Sequence, residues 1–535
     1  MTADARKQMT HDNRATETTV ATLIAARAAE RPAHPFLADA RSERTLSYAD
    51  AATAMDMWSR YLDAHSVPPG ARVVLDTADP LAFASVYLAL LAAGRCVIPV
   101  DPDAPLAERL RTLAPLEPVA VVSDRTDLAH AFDPALPMIP ACFWPESSAR
   151  SRPKARRDQE GARRDQKGAR RDQERARRDQ EGMSREGGSV ILATSGSTGA
   201  PKAMRLTEKQ LLHVARAVAE HNKLGPSDRG YNCLPLFHIN AEVVALLATL
   251  EAGACLVLDR RFHATGFWEL LADKGITWLN AVPAILAVLT SERAAPPAVP
   301  AGLRFIRSAS APLPAAVRAR LEAAADIPIV ESYGMTEAAS QITATDLDTP
   351  APRGSCGRPV AVQMQIRDDL GRPVPPGIVG RVHIRGTAVI GGYLGGRAAE
   401  RFDAAGWLDT GDLGHRDTEG YLYLAGRADD VINRGGELLY PREIEEVLVA
   451  DPGVRDAVVV GRADPILGSV PIAFVVPAHR PGTDRERANL LRGLRYRCDG
   501  QLSRVKRPVE FLVVDDFPRA ATGKVQRHRL RSAVA

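Results

Sequence analysis

The chain has 535 residues, more than one ordinary hydrophobic core organises, so two or more domains are expected. It is 45% hydrophobic and 25% charged with a net charge of +4, which is typical of a soluble globular protein and excludes a basic nucleic-acid-binding surface. The longest apolar run, residues 81–93, is too short to span a bilayer, so no integral membrane segment is expected. Six scattered cysteines without a C-x-x-C pair argue against a zinc site or a disulfide framework and indicate a cytoplasmic protein.

The N-terminal third alternates between helix-like and strand-like segments. Residues 1–16 are polar, lack a signal-peptide core and are predicted to be a disordered tail. An amphipathic helix at 20–29 and a helix capped by Ser47 follow. Buried strands are predicted at 72–76, 96–100 and 119–122. Strands alternating with helices predict an α/β fold with a parallel sheet covered on both faces.

Residues 155–182 are four seven-residue units: ARRDQEG, ARRDQKG, ARRDQER and ARRDQEG. Alanine is the only apolar residue in each unit, so a coiled coil with this period would have no seam to bury. The units carry +3 of the chain's net charge of +4. We interpret them as a solvated, low-complexity insert, and a contact arm for an acidic partner is the alternative.

A phosphate-binding loop is predicted directly after the apolar run at 190–193. Glycines let successive backbone amides turn inward around an anion, hydroxyl groups add donors, and a lysine adds charge. A Walker-type P-loop is disfavoured because a proline stands at its second glycine position and no Ser or Thr follows the lysine. A flexible Ser/Gly linker is disfavoured by the strand that precedes it. The residues of the loop are Thr194, Ser195, Gly196, Ser197, Thr198, Gly199 and Lys202.

After the loop the sequence predicts a helix capped by Thr207, a Pro-Leu-Phe-His segment and a helix at 241–250. Four further motifs accompany them. The segment 231–240 contains Pro-Leu-Phe-His, and a buried strand predicted to end at Glu331 leads into Ser-Tyr-Gly-Met-Thr-Glu337. In that second motif Tyr333 can stack on a base, and the carboxylate of Glu337 is a hard oxygen ligand suited to Mg²⁺. Asp412, on a tight glycine turn, can accept both hydroxyls of a ribose. The last two segments are 426–437, with Arg427 at its start, and 518–527, which contains Thr-Gly-Lys524.

The loop and these motifs together resemble the adenylate-forming superfamily, which includes acyl-CoA synthetases, stand-alone adenylation domains and luciferases. The resemblance covers about 17–531 without the repeat. It implies an α/β protein whose large N-terminal domain, 17–428, has parallel-rich sheets with helices and a β-rich subdomain. A small mobile α+β lid domain, 429–535, would follow a hinge at Asp429, for which Asp430 is the nearest competing position.

The resemblance also assigns roles to residues. Lys524 would bridge the acyl carboxylate and the α-phosphate, Thr336 would contact that phosphate, and Gly435-Gly436 would flank a pantetheine arm. The remaining nucleotide-binding residues would be the loop with Glu331, Ser332, Tyr333, Gly334, Asp412 and Arg427. The acyl pocket would be lined by Phe237, His238, Asn240, Asn280 and Ala309. Residues 237–240 contain no Asp to hold an ammonium group, which favours an acid without an α-amino group.

The implied reaction is ATP- and Mg²⁺-dependent conversion of a carboxylic acid to an acyl-adenylate, followed by transfer to a thiol. CoA is the favoured acceptor, and the phosphopantetheine of an acyl or peptidyl carrier protein is the alternative. For the acid, small polar acids including carnitine-type betaines compete with medium-chain fatty acids. Two alternatives belong to other functional classes. One is a non-catalytic nucleotide-binding protein whose repeat recruits a partner, and the other is a luciferase-like oxidative activity.

Overall fold

The structure is a computed structural model, which describes residues 18–125, 127–132, 137–141, 187–194, 202–290, 299–324, 327–519 and 525–535. The predicted tail, the heptapeptide repeat, loop residues 195–201 and Lys524 lie outside the described residues.

The strands and helices are labelled here in chain order. The strands are β1 Pro35–Asp39, β2 Thr45–Ser47, β3 Arg72–Asp76, β4 Cys96–Pro99, β5 Ala120–Ser123, β6 Met138–Pro140, β7 Ser189–Thr194, β8 Lys202–Thr207, β9 Arg229–Asn232, β10 Cys255–Leu258, β11 Trp278–Ala281, β12 Phe305–Ser308, β13 Ile329–Tyr333, β14 Thr343–Ala344, β15 Arg358–Pro359, β16 Gln363–Arg367, β17 Gly380–Arg385, β18 Leu408–Arg416, β19 Leu422–Arg427, β20 Ile432–Arg434, β21 Glu437–Leu439, β22 Val454–Asp464, β23 Gly468–Pro477 and β24 Glu510–Val513. The α-helices are α1 Val20–Glu30, α2 Tyr48–Ala64, α3 Pro80–Ala92, α4 Leu106–Leu113, α5 Asp127–Phe132, α6 Glu208–His221, α7 Ala248–Ala252, α8 Phe267–Asp273, α9 Pro283–Leu289, α10 Ala315–Ala324, α11 Pro441–Val449, α12 Asp484–Gln501 and α13 Arg527–Ser532.

The first sheet carries the predicted phosphate loop. Its strand order is β6-β5-β3-β4-β7-β8, parallel except where β8 turns back along β7. Helix α3 contacts β3 and β4 of this sheet and β1 of the second sheet. Its residues 81–91 are all buried, which explains why this stretch is apolar on every side.

The second sheet has nine strands in the order β15-β14-β13-β12-β11-β9-β10-β1-β2. The strands from β13 to β1 are parallel, so their carboxyl ends share one edge. In this register Asn280 of β11 pairs with Asn232 of β9 on one side and Arg307 of β12 on the other. Three polar side chains therefore lie in one row across the sheet, which matters for the acyl pocket.

Two smaller sheets complete the molecule. Strands β16–β19 form an antiparallel sheet, the predicted β-rich subdomain. Strands β20–β24 form the other small sheet, which shares a hydrophobic core with α11 and α12. The predicted architecture, a large α/β part followed by a small α+β C-terminal domain, is confirmed. The boundary at 428/429 stays a prediction.

Two differences between the sequence-based prediction and the structure affect the candidate site. The predicted helix at 241–250 is a π-helix, Asn240–Leu247, followed by the short helix α7. A π-helix has a wider turn than an α-helix, and it frequently occurs at functional sites. The strand predicted to end at Glu331 continues to Tyr333, because β14 pairs with its last two residues. Within the described ranges, no helix is long and apolar enough to cross a membrane.

Candidate active site

The two ends of the predicted phosphate loop are held together by strand pairing. Thr194 ends β7 and Lys202 begins β8, and the two residues are direct partners in the antiparallel register. The strand before the loop is buried, as predicted, with Val190 fully inaccessible. The ammonium of Lys202 lies 5.8 Å from the ring centroid of Tyr393. The loop therefore leaves and re-enters the sheet at one point, next to the groups described below.

A buried carboxylate, Glu337, lies beside that point. The Tyr393 hydroxyl donates to its Oε1 at 2.5 Å, and Nη1 of Arg401 donates to the same oxygen at 3.2 Å. Arg401 also donates to the backbone carbonyl of Asp409 at 2.7 and 2.9 Å, which ties Glu337 to strand β18. Burial and the adjacent Glu337 carboxylate raise the pKa of Tyr393, so this hydroxyl stays a donor.

Sequence reasoning found Glu337 and missed Tyr393 and Arg401. They stand 56 and 64 residues further along the chain, in short turns without a motif that points to Glu337. The cation–π geometry at Lys202 has no local sequence signal either. These contacts exist only because β8, the turn at Tyr393 and the turn at Glu337 are brought together by the fold.

The Glu337 carboxylate fits a magnesium ligand. Its hydrogen bonds from the described residues all reach Oε1, so Oε2 is the oxygen left for a metal. No group of three or more His, Cys, Asp or Glu side chains that could hold a metal occurs in the described part of the chain. A magnesium ion here would complete its coordination with phosphate oxygens and water, as Mg²⁺ does at nucleotide sites.

A second carboxylate, Asp412, has both oxygens engaged. The Tyr333 hydroxyl donates to Oδ2 at 2.5 Å, and Nη1 of Arg427 donates to Oδ1 at 3.1 Å. Burial and Asp412 raise the pKa of Tyr333, so it remains the donor. Gly411 has φ +75°, and a Cβ there would lie 2.9 Å from the Arg427 guanidinium. Three predicted nucleotide-binding residues, Tyr333, Asp412 and Arg427, are therefore in direct contact, although Tyr333 and Asp412 are 79 positions apart.

Gly334 is required for a reason that its motif did not reveal. The sequence suggested a turn, but a Cβ at this position would lie 1.5 Å from the backbone carbonyl oxygen of Ser340. The chain crosses itself here, and only a residue without a side chain fits. The crossing fixes Tyr333 on one side and Thr336, which is half-exposed, on the other. Two residues before Tyr333 on the same strand, Glu331 is paired with Arg318, and Ser332 between them is half-buried.

The predicted acyl pocket is built on a small amide cluster. The Phe237 and His238 rings, both half-exposed, lie 4.5 Å apart immediately before the π-helix. Nδ2 of Asn280 donates to Oδ1 of Asn240 at 2.9 Å and to Oδ1 of Asn232 at 3.0 Å. Asn280 is fully buried, so it reaches a pocket only through the half-exposed Asn240. Ala309 is also buried, at 3% exposure.

The Gly435-Gly436 pair forms the two-residue turn between β20 and β21. Arg434 pairs with Glu437, and both glycines have positive φ, +62° and +92°, as a type I′ hairpin turn requires. The two glycines are thus explained by the turn alone, and the pantetheine role stays a prediction.

The two competing hinge residues both accept a hydrogen bond from Arg531. Asp430 is held by Arg531 at 2.7 Å, whereas the neighbouring Asp429 is exposed. Both lie in a short 3₁₀ turn, Ala428–Asp430, between β19 and β20. The backbone carbonyl of Asp429 also accepts a hydrogen bond from Arg531, at 3.4 Å, so these contacts do not distinguish the two residues, and the hinge at Asp429 stays a prediction.

The family comparisons agree with this geometry. The model for the AMP-binding enzyme family matches residues 24–394, and the model for the AMP-binding enzyme C-terminal domain matches residues 443–524. The chain belongs to the AMP-binding enzyme family. It is thus a member of the adenylate-forming superfamily indicated by its motifs.

Similar proteins include several CoA ligases. The sulfoacetate–CoA ligase of Cupriavidus necator is 34% identical over 540 residues, which cover 96% of this chain and 97% of that protein. The oxalate–CoA ligase of Arabidopsis thaliana is 36% identical over 64% of this chain and 66% of its own length. The o-succinylbenzoate CoA synthetase of Bacillus subtilis, solved with its acyl-adenylate intermediate, has TM-score 0.77 at 25% identity and covers 96% of this chain and 98% of its own.

The same Bacillus subtilis synthetase has also been solved with ATP and a magnesium ion, at TM-score 0.76 and 25% identity, with 96% of this chain and 98% of its own covered. The protein is an AMP-forming acyl-CoA ligase: it converts a carboxylic acid to an acyl-adenylate with ATP and Mg²⁺ and transfers the acyl group to CoA. The predicted enzyme class and cofactors are confirmed. The roles of individual site residues stay predictions.

Proposed function

We propose that this ligase activates a small carboxylic acid that carries a second acidic group. The observation that carries the proposal is the chemistry of the residues predicted to line the acyl pocket: Phe237, His238, Asn240, Asn280 and Ala309 offer an imidazole and two amides but no carboxylate. The similar sulfoacetate–CoA and oxalate–CoA ligases act on acids of this kind by name. A polar, carboxylate-free pocket suits such an acid better than a medium-chain fatty acid, whose tail needs an apolar tunnel.

In the first half-reaction an oxygen of the acid attacks the α-phosphorus of ATP, the bond to the β-bridging oxygen breaks, and pyrophosphate leaves. Two anions meet, so positive charge must be placed where it stabilises the transition state. We assign Lys524 to this role, with Thr336 beside the α-phosphate and His238 beside the reacting carboxylate. The loop from Thr194 to Lys202 would hold the β- and γ-phosphates.

The nucleoside would be held by the cluster around Asp412. Its carboxylate can accept hydrogen bonds from both ribose hydroxyls, and Arg427 and Tyr333 keep it oriented. The Tyr333 ring, anchored by its hydroxyl, offers a face to adenine. Glu337 would hold Mg²⁺, which neutralises phosphate charge when bound, while Tyr393 and Arg401 fix the carboxylate.

In the second half-reaction the sulfur of CoA attacks the acyl carbon, the bond to AMP breaks, and the thiol proton goes to solvent. We assign the Gly435-Gly436 turn to the thiol's approach and Asp429 to the domain rotation that removes Lys524. A carrier-protein pantetheine is the other acceptor to test. We place the reaction in the cytoplasm, which supplies ATP and CoA and in which the five free cysteines of the described chain would stay reduced.

The test is pyrophosphate release across a panel of sulfoacetate, oxalate, malonate, propionate, octanoate and glycine betaine, first without and then with CoA. We expect release with the first three acids and an acyl-CoA product once CoA is added. Release with octanoate or betaine alone would overturn the proposed acid class. An adenylate that a carrier protein consumes at a rate similar to that with CoA would establish that protein as a second acceptor.

A pair of lysine variants tests the catalytic assignment. We expect Lys524→Ala to slow adenylate formation by ~10²–10³-fold, the usual loss for a preorganised charge that acts in the transition state. Lys506→Ala, in the same domain but paired with Glu443, is the matched control and should leave the rate unchanged. Equal rates for the two variants would show that Lys524 has no part in the chemistry.

A further inference from the structure

Arg307 is a buried guanidinium whose hydrogen-bond partners in the described part of the chain are side-chain amides. It lies on β12 with 1% of its surface exposed. Its Nη2 donates to Oε1 of Gln341 at 2.6 Å, and its Nη1 lies 3.5 Å from Oδ1 of Asn280. Among the described residues, no group accepts a hydrogen bond from its Nε and no carboxylate forms an ion pair with it. The positive charge is therefore not compensated by any described part of the chain.

Such an arrangement is unfavourable unless an anion arrives. Removing a charge from water without pairing it carries a large desolvation penalty. Burial lowers the pKa of Arg307 to about 9, so the side chain is still charged at neutral pH. A charged group in a low-dielectric interior acts over a longer distance than the same group in water. Asn280 connects Arg307 by hydrogen bonds to Asn240, a residue predicted to line the acyl pocket.

The hydrogen bonds of Arg307 fix the orientation of the neighbouring side-chain amides. A guanidinium only donates, so the Asn280 atom facing Arg307 must be the amide oxygen. Nδ2 of Asn280 then donates to Oδ1 of Asn240, and the Asn240 amide must present its own NH₂ onward. Nδ2 of Asn232 donates to the carbonyl of Leu234, which agrees with this orientation. This series of hydrogen bonds therefore ends at the NH₂ group of Asn240, at the start of the π-helix and two residues after His238.

We propose that Arg307 is a positioning residue that gives the ligase its preference for an acid with a second anionic group. Asn280 and Asn240 relay its charge, and the NH₂ group of Asn240 contacts the sulfonate or second carboxylate. This inference rests on the proposed acid class and names its physical source. A purely structural role would be served better by an apolar side chain of the same volume, which has no desolvation penalty.

The experiment measures kcat/KM for sulfoacetate and for propionate, which is of similar size but lacks the second charge. The ratio of the two values is compared in wild type, Arg307→Gln, Arg307→Lys and Asn240→Asp. Arg485→Gln and Asn489→Asp, both on exposed positions of α12, are the matched controls. Melting temperatures are recorded for every variant.

We expect Arg307→Gln to lower the ratio by about 10–100-fold, which is the range for a residue that acts through the group it orients. Most of this loss should appear as a higher KM for sulfoacetate. Arg307→Lys should recover part of the loss because it restores the charge. Asn240→Asp should lower the ratio at least as far, since its carboxylate repels the second anion. The two controls should match wild type.

Two outcomes would overturn the inference separately from the proposed function. In the first outcome, the wild-type ratio is well above one and neither Arg307→Gln nor Asn240→Asp changes it. The proposed acid class would then stand, but Arg307 would not be the source of the preference. An equal loss with both acids would show a structural role only. A wild-type ratio of one or below would overturn the proposed acid class and this inference together. If Arg307→Gln fails to fold, Asn240→Asp, at a half-exposed position, decides alone.

Discussion

Two buried arginines in this ligase have opposite surroundings. Arg109, on α4 beside the first sheet, is 4% exposed and pairs with Asp76 at 3.0 Å and Asp127 at 2.6 Å. Arg307, on the second sheet, is buried as deeply, but its hydrogen-bond partners among the described residues are the amides of Asn280 and Gln341. A charge that serves the fold is compensated within the chain. A charge left uncompensated beside a pocket points to a ligand that compensates it.

Arg109→Gln tests the difference between the two arginines most directly, and we expect it to cause the largest loss of stability. The substitution leaves Asp76, which is fully buried, without its ion-pair partner. Removing one member of a buried pair typically costs about 3–5 kcal/mol. Urea unfolding at pH 7 measures this. Arg125→Gln, which removes a half-exposed partner of the same Asp127, is the control and should lose under about 1 kcal/mol. Equal losses would contradict the distinction.

Tyr393→Phe tests the compensated carboxylate of the active site. Glu337 loses a hydroxyl donor but keeps Arg401, so the carboxylate becomes less well oriented rather than unpaired. We expect the magnesium concentration needed for half-maximal adenylation to rise by about 10-fold. Tyr496→Phe, at a side chain 83% exposed on α12, is the control. An unchanged magnesium requirement would show that Glu337 does not hold the metal.

Glu242 extends the comparison to a buried carboxylate whose described partner is one hydroxyl, that of Tyr87 at 3.0 Å. Burial raises its pKa from 4.5 to about 8. The folded state therefore holds a proton that the unfolded state releases above pH 4.5. The resulting stabilisation is complete below pH 4.5, falls as pH rises, and is lost by about pH 8.

Glu242→Gln should remove that dependence. Between pH 5 and 8 the free energy of unfolding of wild type should fall more steeply than that of the variant, by about 1 kcal/mol per pH unit. Urea midpoints at four pH values measure the slope, with the exposed Glu269→Gln as control. Parallel slopes for wild type and Glu242→Gln would mean that Glu242 is ionised in the folded protein.

Arg307→Gln should have the smallest effect on stability, within about 1 kcal/mol, because it removes a desolvation penalty together with two hydrogen bonds to amides. Its effect on substrate preference should nevertheless be large. This separation of stability from selectivity is the reverse of the expectation for Arg109→Gln. A loss as large as that of Arg109→Gln would show that Arg307 is compensated by a group of the chain.

Most residues of the candidate site could be named from sequence because they lie in contiguous motifs. Tyr333, Glu337 and Asp412 each stand in a short segment whose glycines and hydroxyls indicate nucleotide binding. The helix caps at Ser47 and Thr207 were likewise readable, since each cap is a local hydrogen-bond pattern, and both are present. The π-helix at Asn240–Leu247 was not readable, because an apolar periodicity does not distinguish it from an α-helix.

The sequence by itself determined the α/β class, the order of the motifs and the identity of the reactive groups, because those depend on residue type and short spacing. Only the tertiary structure decided which distant groups meet. Tyr393 and Arg401 reach Glu337, and Arg307 joins Asn280 through the register of neighbouring parallel strands. Strand register and chain crossings are set by packing of the whole core, so whether a buried charge is paired cannot be read from its local sequence.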